Sequence, residues 1–482
     1  MTSKFKIAGW VALGALAGGL TTMQFQATAR NTAPQLPLEE LQQLAAVFGM
    51  VKTDYVEVVD EKKLISDAIG GMVAGLDPHS QYFDKTTFKE FREGTTGKFV
   101  GVGIEIGMED GLVKIVSPIE GSPAFRAGLK SGDLITKIDE TYVKGLTMDQ
   151  AVKRMRGEPS TKVLLTIFRK SESRSFPVAI TREEIRVQSV RTKLIEPGYG
   201  WVRVSQFQDR TVDDFVAKVN KLYADDPKLK GLVLDLRNDP GGLLEGAVAI
   251  SAAFLPKDAV VVTTNGQLPE SKSMFKARVE DYTRRMGASD PLAKLPAALK
   301  DVPMVVLVNE GSASASEIVS GALQDHKRAV IMGSQTFGKG SVQTVRQLTA
   351  DTALKITTAR YYTPSGRSIQ AKGIVPDVMV DESAEGNVFS ALRMREADLQ
   401  KHIASGQGPE EKDEARIKAR EDAIKRLEET VNAKKDEKPK PLPEFGSEED
   451  FQLQQALNQL KGKPVLVSKT LVERKPEDTK AE

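Results

Sequence analysis

The stretch with the clearest chemical potential is Asn309-Glu310-Gly311-Ser312-Ala313-Ser314-Ala315-Ser316-Glu317-Ile318-Val319, a strand end, a run of small residues and then a helix pattern. A serine at such a junction lies beside unpaired helix N–H groups and the positive end of the helix dipole, a setting that stabilises an oxyanion. The same residues also fit a simpler role, because Ser314-x-x-Glu317 has the spacing of a capping box. A nucleophilic serine further needs a base. The chain has three histidines, His79, His326 and His402. His326 lies twelve positions beyond Ser314 on the same expected helix, roughly 18 Å away at about 1.5 Å per residue. His402 falls in a polar tail and His79 in an N-terminal helical segment, so a Ser-His-Asp triad is unpromising. Lysine is the remaining common base, provided burial strips its proton near neutral pH. Lys339 is the best placed, flanked by Gly338 and Gly340, which permit close backbone approach. Those residues nearly spell a phosphate loop, Gly333 with four residues before Gly338-Lys339, but Gly340 stands where a magnesium-binding Ser or Thr belongs.

The elements that must position these residues are legible as patterns. Residues 38–51 and 64–76 carry helical apolar spacing. Residues 99–180 read as a small, mostly β unit with alternating runs at 100–106, 112–116, 134–138 and 163–168 and one short amphipathic helix at 148–155. From about residue 187 strands and helices alternate: strands at 200–204, 231–236, 304–308 and 329–332, a helix at 211–222, and another beginning at Gly241-Gly242. The expected class is α+β and multidomain, with an α/β core carrying functional loops at its strand ends.

At 482 residues the chain is too long for one ordinary core, and 40% hydrophobic with 28% charged residues suits a globular protein rather than a multi-span membrane protein. A net charge of +2 gives no reason to propose nucleic acid, and the absence of cysteine excludes disulfides, thiolate chemistry and Cys-based zinc sites. Lys4 and Lys6 precede an apolar run over 7–20, and Ala27-Thr28-Ala29 supplies an A-x-A pattern, so residues 1–29 are expected to be a secretory signal or an uncleaved anchor. An exported, periplasmic or envelope location follows. Beyond residue 385 the chain is charged, 19 of the 30 residues in 411–440 being Asp, Glu, Lys or Arg. A solvated helix or flexible segment is expected there, with helical spacing returning at 451–460.

Taken together, residues 38–382 resemble the carboxyl-terminal processing, or tail-specific, proteases. The resemblance rests on Leu234-Asp235-Leu236-Arg237-Asn238-Asp239-Pro240-Gly241-Gly242-Leu243, on the Ser312–Glu317 run and on Thr336-Phe337-Gly338-Lys339-Gly340-Ser341-Val342-Gln343, in that order. Leu76-Asp77-Pro78-His79-Ser80, Ser368-Ile369-Gln370 and Gly373-Ile374-Val375-Pro376-Asp377-Val378 are similar as well. It implies a crotonase-like ββα protease core over 181–384, an inserted PDZ domain over 99–180, a helical segment over 30–98 and a charged extension over 385–482. It further implies Ser314 as nucleophile, Lys339 as base and Gln343, read as one helical turn beyond it, as the residue orienting that base. The N–H of Ala315 and one of Gly241 or Gly242 would form the oxyanion hole. Gly101-Val102-Gly103-Ile104 would bind a substrate's C-terminal carboxylate, and Arg156 would relay tail docking to the protease. No cofactor or metal is implied. The expected partners are protein or peptide substrates with accessible C-termini. The polar segment 267–297 and the charged tail depart from the family pattern and offer room for a lid, for a subunit contact in a homo-oligomer or for an envelope adaptor protein.

Overall fold

The computed structural model describes residues 37–283, 287, 289–384, 386, 392–408, 417–418, 420–425 and 443–468. The expected signal segment 1–29 and most of 411–440 lie outside them. Among the described residues no helix is long and apolar enough to cross a membrane. The chain divides into two compact units, 1–71 and 72–482. In the first, the helix Leu38–Asp54 buries none of its side chains and exposes Leu38, Leu41, Leu44, Val47 and Met50, spaced at helical intervals.

The second unit is organised around a six-stranded sheet ordered Val190–Glu196, Tyr199–Val204, Gly231–Asp235, Met304–Val308, Val330–Gly333, Val378–Met379. All neighbours after the first hairpin are parallel. The central strands read as unbroken apolar runs because both faces are covered. On one face Leu232, Leu234, Val306 and Val308 pack against the helices Thr211–Asp225, Leu244–Phe254 and Ala315–Asp325. On the other, Trp201, Val233, Val305 and Leu307 meet Leu453, Ala456 and Leu457 of the helix Phe451–Leu460. Each leucine so buried contributes about 1.5–3 kcal/mol. Within the charged extension from residue 385, the segment at 451–460 where helical spacing returns is therefore a layer of the core.

A second sheet joins the hairpin Ser341–Gln347 and Ala353–Tyr362 to Val260–Gly266 and Ser273–Lys276. The polar segment 267–297 thus supplies an edge strand. The short strand Gln81–Phe83 pairs with residues 353–355 and so holds the turn 77–80 against this sheet.

The small β domain has its own core, Val113, Ile115, Ile135, Leu165 and Ile167 among others, and a sheet with Ile104–Glu109 at one edge and Arg174–Thr181 at the other. The helix Met148–Met155 begins in a reciprocal box: Thr147 Oγ1 accepts from Gln150 N–H, and Gln150 Oε1 from Thr147 N–H. The alternating run at 100–106 divides at 102–103, where Gly103 takes φ +79°. Before that break Lys98–Gly101 pairs with Glu183–Arg186, a two-stranded stalk that carries both connections to the core.

Candidate active site

Ser314 stands between the strand Met304–Val308 and the helix Ala315–Asp325 with φ +56° and ψ −111°, a conformation that costs a non-glycine residue on the order of 1–3 kcal/mol. The turn is tight because Gly241 lies against it: a methyl on Gly241 would sit 2.6 Å from Ala313 O and 2.8 Å from Ala315 N. The capping box expected here closes through one arm, Ser314 N–H donating to Glu317 Oε2 at 2.7 Å. Glu317 N–H donates instead to the backbone carbonyl Ser314 O at 2.9 Å.

Glu317 does more than cap. Fully buried, it accepts from Ser314 N–H and Lys339 N–H on Oε2, and from Gly338 N–H (2.7 Å) and Thr336 Oγ1–H (2.5 Å) on Oε1. One carboxylate therefore ties the serine turn to the lysine loop. Burial pushes its pKa up to about 7 against the four donors, which favour the ionised form. The sequence signalled Glu317 only as a helix cap, since its other partners lie 19 to 22 residues ahead.

Lys339 is partly exposed but densely surrounded by protein. That burial lowers its pKa to about 8, opposed mainly by the negative charge of Glu396. Its Nζ donates to Gln343 Oε1 at 2.5 Å and to Ser341 O at 3.5 Å. Gln343 is not one helical turn beyond the lysine. Both precede or lie in the strand Ser341–Gln347, where alternation puts Ser341 and Gln343 on one face. Gln343 Nε2 in turn donates to Ser341 Oγ and Thr357 Oγ1, and Thr357 Oγ1 to Asp77 Oδ1. Ser314 and Lys339 are thus joined through Glu317 rather than by a hydrogen bond between Oγ and Nζ. His79, His326 and His402 pair with Glu396, Val260 O and Leu399 O respectively.

Asp239 separates the two glycines that the sequence left equivalent. Its Oδ1 accepts Gly241 N–H at 2.8 Å, whereas Gly242 N–H and Ala315 N–H donate to no protein group among the described residues. Gly242, at φ +143°, has no room for a side chain because a Cβ would lie 2.0 Å from Phe207 O. Asp239 Oδ2 is buried without a hydrogen-bond partner among the described residues, and burial holds this carboxyl well above the usual carboxylate range. Just upstream, fully buried Arg237 donates to Asp235 and to both carboxylate oxygens of Asp450, in the C-terminal segment.

Residues 198–380 match the model of peptidase family S41, 114–169 a PDZ domain, and 11–87 the N-terminal domain of the activating protease CtpB. A carboxy-terminal-processing protease of Bartonella bacilliformis is 41% identical over 405 residues, 83% of this chain and 89% of that protein. The chain belongs to the carboxy-terminal-processing proteases of peptidase family S41. It is a serine-type peptidase. A probable CtpA-like serine protease of Staphylococcus aureus is 40% identical over 342 residues, 71% of this chain and 65% of that protein. Among solved structures, the photosystem II D1 C-terminal processing protease is 31% identical, covering 68% of this chain and 84% of that one at a TM-score of 0.40.

In the small β domain, which contains the PDZ match at 114–169, Gly101, Val102, Gly103 and Ile104 lie where the stalk meets the edge strand Ile104–Glu109. Val102 O and Gly103 O accept from Ala124 N–H and Ile119 N–H, while Val102 N–H and Gly103 N–H donate to no protein group among the described residues. Gly103 is pressed against Ser122, whose Oγ–H donates to Gly103 O. Arg156, the C-cap of the helix Met148–Met155, reaches out of the domain to Glu93 Oε2 at 2.8 Å and lies over the Phe99 ring.

Proposed function

We propose that the protein is an exported endopeptidase that captures substrate C-termini in its PDZ domain and cleaves nearby through a Ser314-Lys339 dyad. The observation that carries this reading is the shared Glu317 carboxylate, which brackets a strained serine and a lysine of depressed pKa. Neutral Lys339 takes the Ser314 proton as Oγ attacks the scissile carbonyl. Ala315 N–H and Gly242 N–H, both without protein partners among the described residues, receive the oxyanion. Lys339 then returns the proton to the departing amine, and water, deprotonated by the same lysine, releases the acyl group. Gln343 Oε1 and Ser341 O hold the amine's hydrogens, which frees its lone pair for the incoming proton.

The chain terminus of a substrate adds to the edge strand Ile104–Glu109, its carboxylate facing Val102 N–H and Gly103 N–H. The Arg156–Glu93 pair links that groove to the helix Lys85–Thr96, and through it tail docking is coupled to closing the gap between Nζ and Oγ. Export rests on the pattern of residues 1–29.

Replacing Ser314 by Ala and Lys339 by Ala, separately, tests the dyad. Both variants are expected to lose cleavage of a substrate with an unstructured tail while still binding that tail. Cleavage that survives either change overturns the assignment.

A further inference from the structure

The base loop is held from outside by a second set of contacts that the dyad reading does not use. Glu396 follows the family motifs and begins a short 3-10 turn, Glu396–Asp398, yet it is completely buried. Its N–H donates to Phe337 O at 3.0 Å, two residues before Lys339. Its Oε1 accepts from Gln370 Nε2 at 2.8 Å, and Gln370 Oε1 accepts Gly340 N–H at 2.9 Å, one residue after Lys339. The lysine is thereby gripped on both flanks. Only glycine permits this at 340, since a Cβ there would lie 2.1 Å from Gln370 N. The other carboxylate oxygen, Oε2, meets His79 Nε2 at 2.7 Å.

His79 and Asp77 share one turn, His79 N–H donating to Asp77 Oδ1. That turn therefore reaches the base by two routes: Asp77 through Thr357 and Gln343 to Nζ, and His79 through Glu396 and Gln370 to Gly340. We propose that Glu396 is a positioning residue for the Lys339 base, anchored by His79 and acting through Gln370 and the Phe337 carbonyl. This assignment rests on the Ser-Lys reading above. Glu396 also acts by charge. The ionisable groups facing Lys339 are Glu396 from this turn, Lys355 from the strand Ala353–Tyr362, Glu317 from the serine helix and Asp77. Glu396 opposes loss of the lysine proton more than the others, so removing its charge lowers the lysine pKa.

Two variants separate position from charge. Glu396→Gln keeps an acceptor for Gln370 and a polar group for His79 but no charge. It should keep the plateau kcat within about threefold and move the acid limb of the kcat–pH profile to lower pH. Glu396→Ala releases the loop and should lower plateau kcat at least about tenfold with KM changed less than twofold, as expected for a misplaced catalytic group. A Glu396→Gln profile that superimposes on wild type, or a Glu396→Ala plateau at the wild-type rate, overturns the proposal. If Glu396→Ala fails to fold, the Glu396→Gln profile decides alone. Wild-type protein that does not cleave, or cleavage persisting in Ser314→Ala, would instead refute the dyad on which the proposal rests.

Discussion

Replacing Gln343 by Glu tests the electrostatics of Lys339, the proposed base, with almost no change of shape. The new carboxylate would replace the amide oxygen that now accepts from Lys339 Nζ at 2.5 Å. Two unit charges about 4 Å apart interact by about 4 kcal/mol at an effective dielectric of about 20, close to 3 pKa units. Partial exposure of the lysine halves this, so we expect its pKa to rise from about 8 by about 1.5–3 units. At pH 7 the neutral fraction then falls from about one-tenth to about one in 300 at the smaller shift, a loss of at least about thirtyfold in rate. The loss should shrink to about tenfold or less by pH 10 as the lysine is titrated. Initial rates on an unstructured-tail substrate between pH 6 and 10, at constant ionic strength, give the profile. Gln343→Ala is the contrast, with a lower plateau and no move of the acid limb to higher pH. A Gln343→Glu profile with the wild-type midpoint would refute the reasoning, since Nζ would then not titrate beside residue 343.

Two other outcomes follow from buried carboxylates. Glu317 has its pKa raised from 4.5 to about 7 in the folded protein, so between those values the folded state binds the extra proton and stability falls as pH rises. Wild type should therefore lose about 3 kcal/mol relative to Glu317→Gln between pH 4.5 and 7.5, read from urea unfolding; a pH-independent difference would exclude a raised pKa. Asp450→Ala leaves Arg237 fully buried with half its carboxylate partners gone, at a cost of about 3–5 kcal/mol. The core's thermal midpoint should drop by roughly 6–12 °C, and the helix Phe451–Leu460 should become sensitive to limited proteolysis. A shift under about 2 °C would show that the C-terminal segment is not held through this pair.

Short-range patterns carried much of this site into the sequence. The three motifs around Asp235, Ser314 and Lys339 stood in order, and the helix Met148–Met155 matched its amphipathic spacing residue for residue. What escaped depends on partners far apart along the chain. Asp450 meets Arg237 across 213 positions and Glu396 meets His79 across 317, and no local pattern encodes either pairing. Glu396 escaped for a related reason, since a single acidic residue ahead of the charged run 411–440 reads as solvated although it is buried. The helical spacing at 451–460 was legible, and only the sheet face that covers Leu453 and Leu457 was not. A spacing of four between Lys339 and Gln343 suggests a helix, whereas the long lysine side chain spans the same gap to a residue of the strand Ser341–Gln347.

The stalk has a mechanical consequence. Its strands pair over four positions, Lys98 with Arg186 through Gly101 with Glu183, so both ends of the inserted domain leave the core about 5 Å apart. To the core, some eighty residues amount to the tip of one hairpin. A narrow ribbon resists stretching but yields readily to torsion, so the domain is geared to swivel as a block rather than to slide. The same geometry makes it a cassette: a different recognition module with adjacent termini, or a two-residue turn, could be spliced onto the ribbon without breaking a strand of the core.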